Sequence, residues 1–501
     1  MDISVKALYK NVMERLAGPT GSILLHTGLI LAALFLVTMS TKERQPEIEV
    51  QVVEVDDQTL DELMEDLEPP EELPDMVDQI TPPDVNMDMT PPPDVQDFAA
   101  SPMMDTVAEL DIASDAFSPI IMKNLAPGNM SNRSGEGRAA SISAYGGRWG
   151  EYAEAAVLRA LEWLKNHQNE DGSWGDNKGY IDGLTGLGIL TFLAHGETPS
   201  SEKYGETVEK AIRYVCARQN DKGEFTNIKR WQPGQKGRSM DAAPVYCHAI
   251  CVYAISEAYG LTRITALKEV MERGVQVLID AQQPGGGFEY GWAKGDTRDT
   301  SLGGWCCQAM KAAYIAGASN PGLHDAMEKS VNDMKSAQLE DGSFRYAEGK
   351  GQVTNMTAVA CLSMQLLGHA NDKEVLSGEK FLSDATCDWK KPIPRPMYAW
   401  YYISQVKFHM GKSHWTSWNE KFAPQFIRNQ NEDGSWDSAG LVLKGDSVDR
   451  EWLHADLSSK VYSTTLAALT LQVYYRFLPT YKPIEEAVQT TKSTDVAIEI
   501  F

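Results

Sequence analysis

The chain is 501 residues long, with 43% hydrophobic and 23% charged residues and a formal charge of −24. No Lys or Arg occurs between Gln45 and Met122, where Asp and Glu number 22; subtracting these from the total leaves −2 for the rest. A nearly neutral remainder without a basic stripe argues against nucleic-acid binding. Seven cysteines without a CxxC pair signal neither a zinc site nor a disulfide framework.

In chain order, the first element is an apolar run from Gly21 to Met39, 19 residues whose one titratable side chain is His26. At about 1.5 Å per residue it matches the roughly 30 Å hydrocarbon core of a bilayer. Lys6, Lys10 and Arg15 precede it, so the positive-inside rule places residues 1–20 in the cytoplasm. No A-x-A-like site follows, which predicts an uncleaved transmembrane anchor over residues 21–40 and an extracytoplasmic remainder. Ser22 and His26 share one helical face. A histidine at such a depth faces a protein partner or a proton path, or sits solvated at the interface.

Residues 41–140 read as a disordered linker. The segments PPEELP, TPPDV and TPPPDV, dense in acid and poor in aromatics, cannot bury enough apolar surface to offset ordering entropy. Ile48–Val55 (IEVQVVEV) alternates like an edge strand for a partner sheet, or alternates by chance. A Gly/Ser-rich patch from Pro127 to Gly147 completes the link.

The Ser22–His26 pair, the Ile48–Val55 alternation and Leu67-Glu-Pro-Pro70 together resemble the N-terminal part of the TonB energy-coupling family, over about residues 15–95. That resemblance implies an inner-membrane anchor whose Ser22/His26 face docks on ExbB/ExbD-like proton-driven motor subunits, with the rest of the chain periplasmic. Two later positions of the face hold Ala33 and Val37 where the family has Leu and Ser. The family's receptor-gripping domain has no counterpart here, so motor docking alone is implied.

Residues 141–482 are periodic. A Gln-x-x-x-Gly-x-aromatic pattern recurs at Gln168–Trp174, Gln219–Phe225, Gln282–Phe288, Gln338–Phe344 and Gln430–Trp436. Spacings of 51, 63, 56 and 92 leave room for one degenerate unit near Cys387–Trp389. Each unit ends an amphipathic helix, as in Ala153–His167, and Gly172, Gly223, Gly342 and Gly434 fall where a helix C-terminus needs positive φ. A more apolar helix follows in each case: about Asp182–Ala194, Asp241–Tyr259, Asp299–Ala316, Asn355–Leu367, Met397–Met410 and Tyr462–Phe477. Helices apolar on most faces are buried. Six of them ringed by six amphipathic ones predict an all-α, (α/α)6 toroid of six helical hairpins, with residues 483–501 as a tail.

These units resemble the Gln-Trp repeats of the terpenoid cyclase and protein prenyltransferase superfamily. Tyr145-Gly-Gly, Tyr246–Gly260 and Val461–Pro479 resemble its bacterial squalene cyclase/prenyltransferase-repeat branch, over about residues 145–480. The resemblance implies the toroid; activity must come from the site. Cyclases of that kind protonate an alkene with an Asp-x-Asp-Asp-Thr acid and pair two toroid-type domains. Here the nearest match is Asp296-Thr-Arg-Asp-Thr300, which puts Arg298 at the proton-donating position. An arginine cannot donate that proton, and its charge beside Asp299 would hold that carboxylate ionised. The prenyltransferase zinc set needs Asp, Cys and His; Asp241, Cys247 and His248 or His454 are present at unmatched spacing, so no cofactor is expected. The reactive Cys-Gly-Glu-Gln of thioester-containing toroids is missing.

Asp296, Asp299 and Asp241 are the candidate catalytic residues. Against that role, Asp182, Asp241 and Asp299 each begin an inner helix, where aspartate is a favoured N-cap. Cys247, Cys251, Cys306 and Cys307 read as core thiols, and His248 as a satisfied core histidine. The candidate ligand-pocket residues are Asp182, Tyr246, His248, Trp305, Tyr398 and Tyr462. Together with Trp400, Tyr401 and Tyr402, the aromatics among them line an apolar cavity or fill the barrel. The leading expectation is a non-catalytic binding or force-transmitting toroid coupled to a motor, with an unidentified apolar or polymeric ligand. An isoprenoid- or lipid-modifying enzyme is the alternative, and a glycan-binding or glycan-cleaving toroid a third reading.

Overall fold

The computed structural model describes residues 132–176, 179–226, 228, 243–290, 292, 294–295, 297–347, 354–439 and 457–476. The expected anchor with Ser22 and His26, the linker up to residue 131, Asp241, Asp296, His454 and the tail lie outside them. Among the described residues no helix is long and apolar enough to cross a membrane.

The chain folds as helices: α1 (Gly135–Tyr145), α2 (Gly150–Asn166), α3 (Ile181–Ala194), α4 (Gly205–Arg218), α5 (Ala243–Thr262), α6 (Thr265–Ala281) and α7 (Thr300–Ala316). These continue as α8 (Leu323–Ser336), α9 (Thr354–Leu366), α10 (Lys373–Phe381), α11 (Pro396–Met410), α12 (Lys412–Arg428), α13 (Leu457–Leu471) and α14 (Val473–Arg476). Helices α3, α5, α7, α9, α11 and α13 are buried on nearly every face; α3 is buried from Asp182 to Ala194. Each packs on the next in order, and α13 packs back on α3, so the inner ring closes. The amphipathic helices α4, α6, α8, α10 and α12 each cover the inner helix that precedes them, and α2 covers α13. The molecule is therefore an (α/α)6 toroid whose sixth hairpin joins its first outer helix to its last inner one.

The inner helices run parallel. Gly183 and Gly186 of α3 lie against Cys247 and Ile250 of α5, start beside start, and Gly304 of α7 lies against Val359 of α9. All six N-termini therefore share one mouth and all six C-termini the other.

The repeated glutamine is a staple between outer helices. Gln168 Nε2 donates to the Gly172 carbonyl of its own turn and, at 2.9 Å, to the Thr207 carbonyl of α4. Gln219, Gln282, Gln338 and Gln430 likewise donate to Val270, Ala326, Glu374 and Ala156 on the next outer helix, at 2.7 to 2.9 Å. The turn glycine meets that helix one turn further on. A Cβ on Gly172 would lie 2.4 Å from the Lys210 carbonyl, and one on Gly434 2.5 Å from that of Arg159. These glycines have the expected positive φ, but they sit in the turn beyond the helix end rather than at its cap, because close backbone approach is the second requirement. Gly286 belongs to the same set.

The sixth joint reverses the arrangement. Trp389, in the segment expected to be degenerate, packs between Trp400 and Phe426, and its own N–H donates to Oε1 of Gln425 on α12 at 3.1 Å. The glutamine has moved from the turn to the outer helix.

The Gln430 staple ties residues 274 positions apart and closes the ring. Replacing Gln430 with Leu strands two carbonyls and is expected to cost about 1–3 kcal/mol in urea unfolding. An unchanged midpoint would show that closure does not depend on this bond.

Candidate functional site at the mouth of the barrel

Three tyrosines converge on Asp299 at the mouth formed by the inner-helix N-termini. Asp299 caps α7, accepting the Leu302 N–H at 2.9 Å and the Ser301 hydroxyl at 2.6 Å. Tyr290 donates to its second oxygen, and Tyr246 lies 3.3 Å from the first. Tyr346 bonds Tyr290 through the hydroxyl, and Tyr246 bonds Ser301. The three rings are half-buried while Asp299 is buried. All of Asp299's partners donate, so the carboxylate is built in as an acceptor. Burial first, and the charge of Asp299 next, push all three phenols well above the usual tyrosine range, so they stay protonated donors. Arg395 stands exposed at the same rim, at the N-cap of α11, with a left-handed φ of 50° that is uncommon for a non-glycine residue.

Below the mouth the barrel is filled. Trp305 of α7 stacks on Tyr401 of α11, ring centroids 5.8 Å apart, and Gln308 bonds the hydroxyls of Tyr401 and Tyr402 at 3.0 and 2.9 Å. Helices α7 and α11 are not ring neighbours, so these contacts cross the lumen. Further down, Arg476 donates to Tyr253 at 2.8 Å and faces the rings of Tyr253 and Tyr401 at 5.7 and 5.8 Å. Of the aromatics expected to line a cavity or fill the barrel, Trp305, Tyr401 and Tyr402 fill it, whereas Trp400 packs on Trp389 and Phe426 instead.

The remaining candidates separate. Tyr246 and Tyr462 are half-buried residues of the mouth, Tyr398 is buried just inside it with its hydroxyl 3.5 Å from the Ser301 carbonyl, and Trp305 lies deeper. His248 faces the outer wall: its Nδ1 accepts the Phe225 N–H and its Nε2 lies 3.2 Å from the Gly274 carbonyl. In three other repeats a threonine takes that role, as Thr185, Thr357 and Thr464 do for Trp174, Phe344 and Trp436. Asp182 does not cap α3. It sits one residue inside the helix and binds Arg218 and Tyr214 of α4, both at 3.0 Å, because that outer helix offers two donors. Arg298 turns away from Asp299 and forks onto Asp333 of α8 at 2.7 and 2.8 Å, both side chains buried. The cation expected to act on Asp299 is thus spent on the wall, and phenols surround Asp299 instead.

The seven cysteines are free and buried, and burial raises Cys216, Cys247 and Cys307 to about 12, which removes them as thiolate nucleophiles near neutral pH. Among the described residues no group of three or more His, Cys, Asp or Glu is placed to hold a metal. A cavity of about 320 Å³ lies on the outer wall beside the Gln282 staple, bordered by the solvent-facing Lys294, Asp325 and Lys329. None of its lining residues belongs to the converging groups, so the mouth is the candidate site. Tyr290, Tyr346, Ser301 and Arg395 were not singled out by sequence reasoning. A signal existed for the two tyrosines: Gly-x-Phe-x-Tyr occurs at Gly286 and at Gly342, placing each two residues past a repeat aromatic.

No known protein-family model matches the chain. Squalene–hopene cyclase of Zymomonas mobilis is 24% identical to it over 301 residues, covering 50% of this chain and 44% of that protein, so the chain spans less than half the curated relative's length. Among solved structures, the α-1,6-mannanase GH76A from Salegentibacter sp. HEL1_6 is similar with a TM-score of 0.45, 14% identity and coverage of 66% and 99%. A variant of the type II terpene cyclase MstE from Scytonema, bound to merosterolic acid A, is similar with a TM-score of 0.40, 13% identity and coverage of 66% and 98%. The contacts between its own helices make the chain an α/α toroid.

Proposed function

We propose that the chain is a membrane-anchored, extracytoplasmic binding module that carries load and performs no catalysis. In this reading residues 21–40 span the inner membrane, Ser22 and His26 dock on ExbB/ExbD-like motor subunits, and residues 41–140 tether a periplasmic toroid. The observation that supports it is how the toroid holds the end of the tether. Arg133, 2% exposed, reaches into the C-terminal mouth of the barrel, opposite Asp299. It pairs with Glu257 of α5 at 2.7 Å and donates to the carbonyls of Leu193 and Arg476. Five residues on, Arg138 binds Glu154 and the carbonyls of Arg133 and His195. This buried ion pair and the carbonyl bonds fix the end of the tether to the barrel, where a pull along the chain would meet them.

The isoprenoid reading meets a physical obstacle. Protonating an alkene leaves a carbocation in the lumen, and here the guanidinium of Arg476 already lies over the faces of Tyr253 and Tyr401. A second cation in that space would be repelled.

The junction should depend on pH. His195 is held between Glu154 at 3.0 Å and Glu197 at 2.9 Å. Burial works to lower its pKa, but the two carboxylates outweigh burial and the net shift is upward from 6.5. Glu154 and Glu197 are correspondingly lowered from 4.5. The histidine's contribution is therefore complete below 6.5 and lost as pH rises through the raised value; that of the carboxylates is lost as pH falls below 4.5. Arg133→Ala removes the ion-pair partner of buried Glu257 and leaves it Tyr253 and the charge of Arg476; it is expected to cost about 1–3 kcal/mol. It should also speed amide exchange across residues 133–145 ahead of the rest. His195→Gln should flatten the pH dependence of the protection of those amides, their exchange rate relative to the intrinsic rate, above pH 6.5. Exchange at the junction that ignores both changes would remove the support for load bearing.

The motor contact has its own test. In the full chain His26→Ala should abolish co-purification with ExbB/ExbD-like subunits while membrane insertion persists. Undiminished co-purification would rule out docking through that face.

A further inference from the structure

The chemistry of the N-terminal mouth selects among ligand classes, on the reading that the toroid is a binding module. Consider each class against the groups in place. An anion would find Arg395 at the rim but, in the cluster itself, the carboxylate of Asp299, whose bonds run to phenols, a serine and the Leu302 N–H rather than to a cation. A cation would meet Arg395 at the rim and the positive ends of six parallel inner helices, whose N-termini share this mouth. A purely apolar guest would cover the half-buried phenols of Tyr246, Tyr290 and Tyr346 without offering them a hydrogen bond. A neutral ring bearing several hydroxyls has none of these penalties. Its C–H faces can lie on the half-buried rings of Tyr246, Tyr290 and Tyr346, and its hydroxyls can both give and take hydrogen bonds with those phenols, which buried Ser301 and Asp299 hold in place. The phenols are held in their neutral form, so they remain donors across physiological pH.

We infer that this mouth binds a neutral saccharide unit, so that the polymer gripped by the module is a glycan. The tether root lies at the opposite mouth, so a ligand seated at the N-terminal one loads the barrel along its axis.

The test uses the full chain in detergent and four kinds of probe. These are neutral trisaccharides of glucose and of mannose, a uronic-acid trisaccharide, a glucosamine trisaccharide and farnesol. Titration calorimetry and saturation-transfer NMR report binding. At least one neutral trisaccharide should saturate, with the two charged sugars and farnesol weaker by tenfold or more. Tyr346→Phe and Tyr246→Phe keep the rings and remove one hydroxyl each, and each should weaken binding by about tenfold. Asp299→Asn keeps an N-cap and tests the acceptor directly. Near-UV circular dichroism confirms that each variant is folded, and Tyr346→Ala serves if the phenylalanine variants are silent. No saturation by any neutral trisaccharide up to about 10 mM overturns the inference. So does equal binding of a charged or apolar probe, or indifference to all four substitutions. The Arg133→Ala variant should bind the saccharide normally. A lost junction with retained binding would remove load bearing alone, and retained junction strength without binding would remove the glycan alone.

Discussion

A closed ring must join its two chain ends, and everything else in this structure depends on that joint. Its outer half is α2, the first hairpin partner met along the chain, and its inner half is α13, nearly the last helix. Gln430 and Gly434 bring the turn after α12 onto the backbone of α2 at Ala156 and Arg159. Once that contact forms, the inner helices have no free edge. The same contact fixes the lumen, because contacts such as Gln308 with Tyr401 reach across it between helices that are not neighbours.

Parallel inner helices make the two mouths chemically unlike. One gathers helix N-termini and holds an acidic, phenolic cluster around Asp299; the other gathers C-termini and holds Arg133 and Arg476, the charges that each end favours. The lead-in segment and α14 close the second mouth from opposite ends of the toroid, since Arg133 donates to the Arg476 carbonyl. The proposed function uses that asymmetry, with attachment at one mouth and ligand at the other.

Much of the ring was legible because it is periodic. Gln-x-x-x-Gly-x-aromatic marks five of six joints, and buried helices declare themselves by apolar residues on every face. The inner helices start within a residue or two of expectation where described, except α13, which begins five residues before Tyr462 and gives way to the separate helix α14 after Gln472. What residue type alone could not give was direction. Asp182 and Asp299 look alike in sequence, yet one faces two donors on α4 and the other caps α7 at the mouth. Arg298 sits beside Asp299 in the chain, but extended backbone sends neighbouring side chains to opposite sides, and its partner Asp333 is 35 residues away. The tether root was equally hidden. Arg133 lies in a Gly/Ser-rich stretch that reads as linker, and its partner Glu257 is 124 residues distant.

The central claim is that the tether root and the closed ring form one mechanical unit. Optical-tweezer pulling of the full chain tests it, with one handle joined just before Arg133 and the other at an Arg395→Cys substitution on the opposite rim. A single cooperative rupture is expected, in which residues 133–145 stay docked until the ring itself opens. Release of that segment at lower force, with the toroid still folded, would contradict the claim.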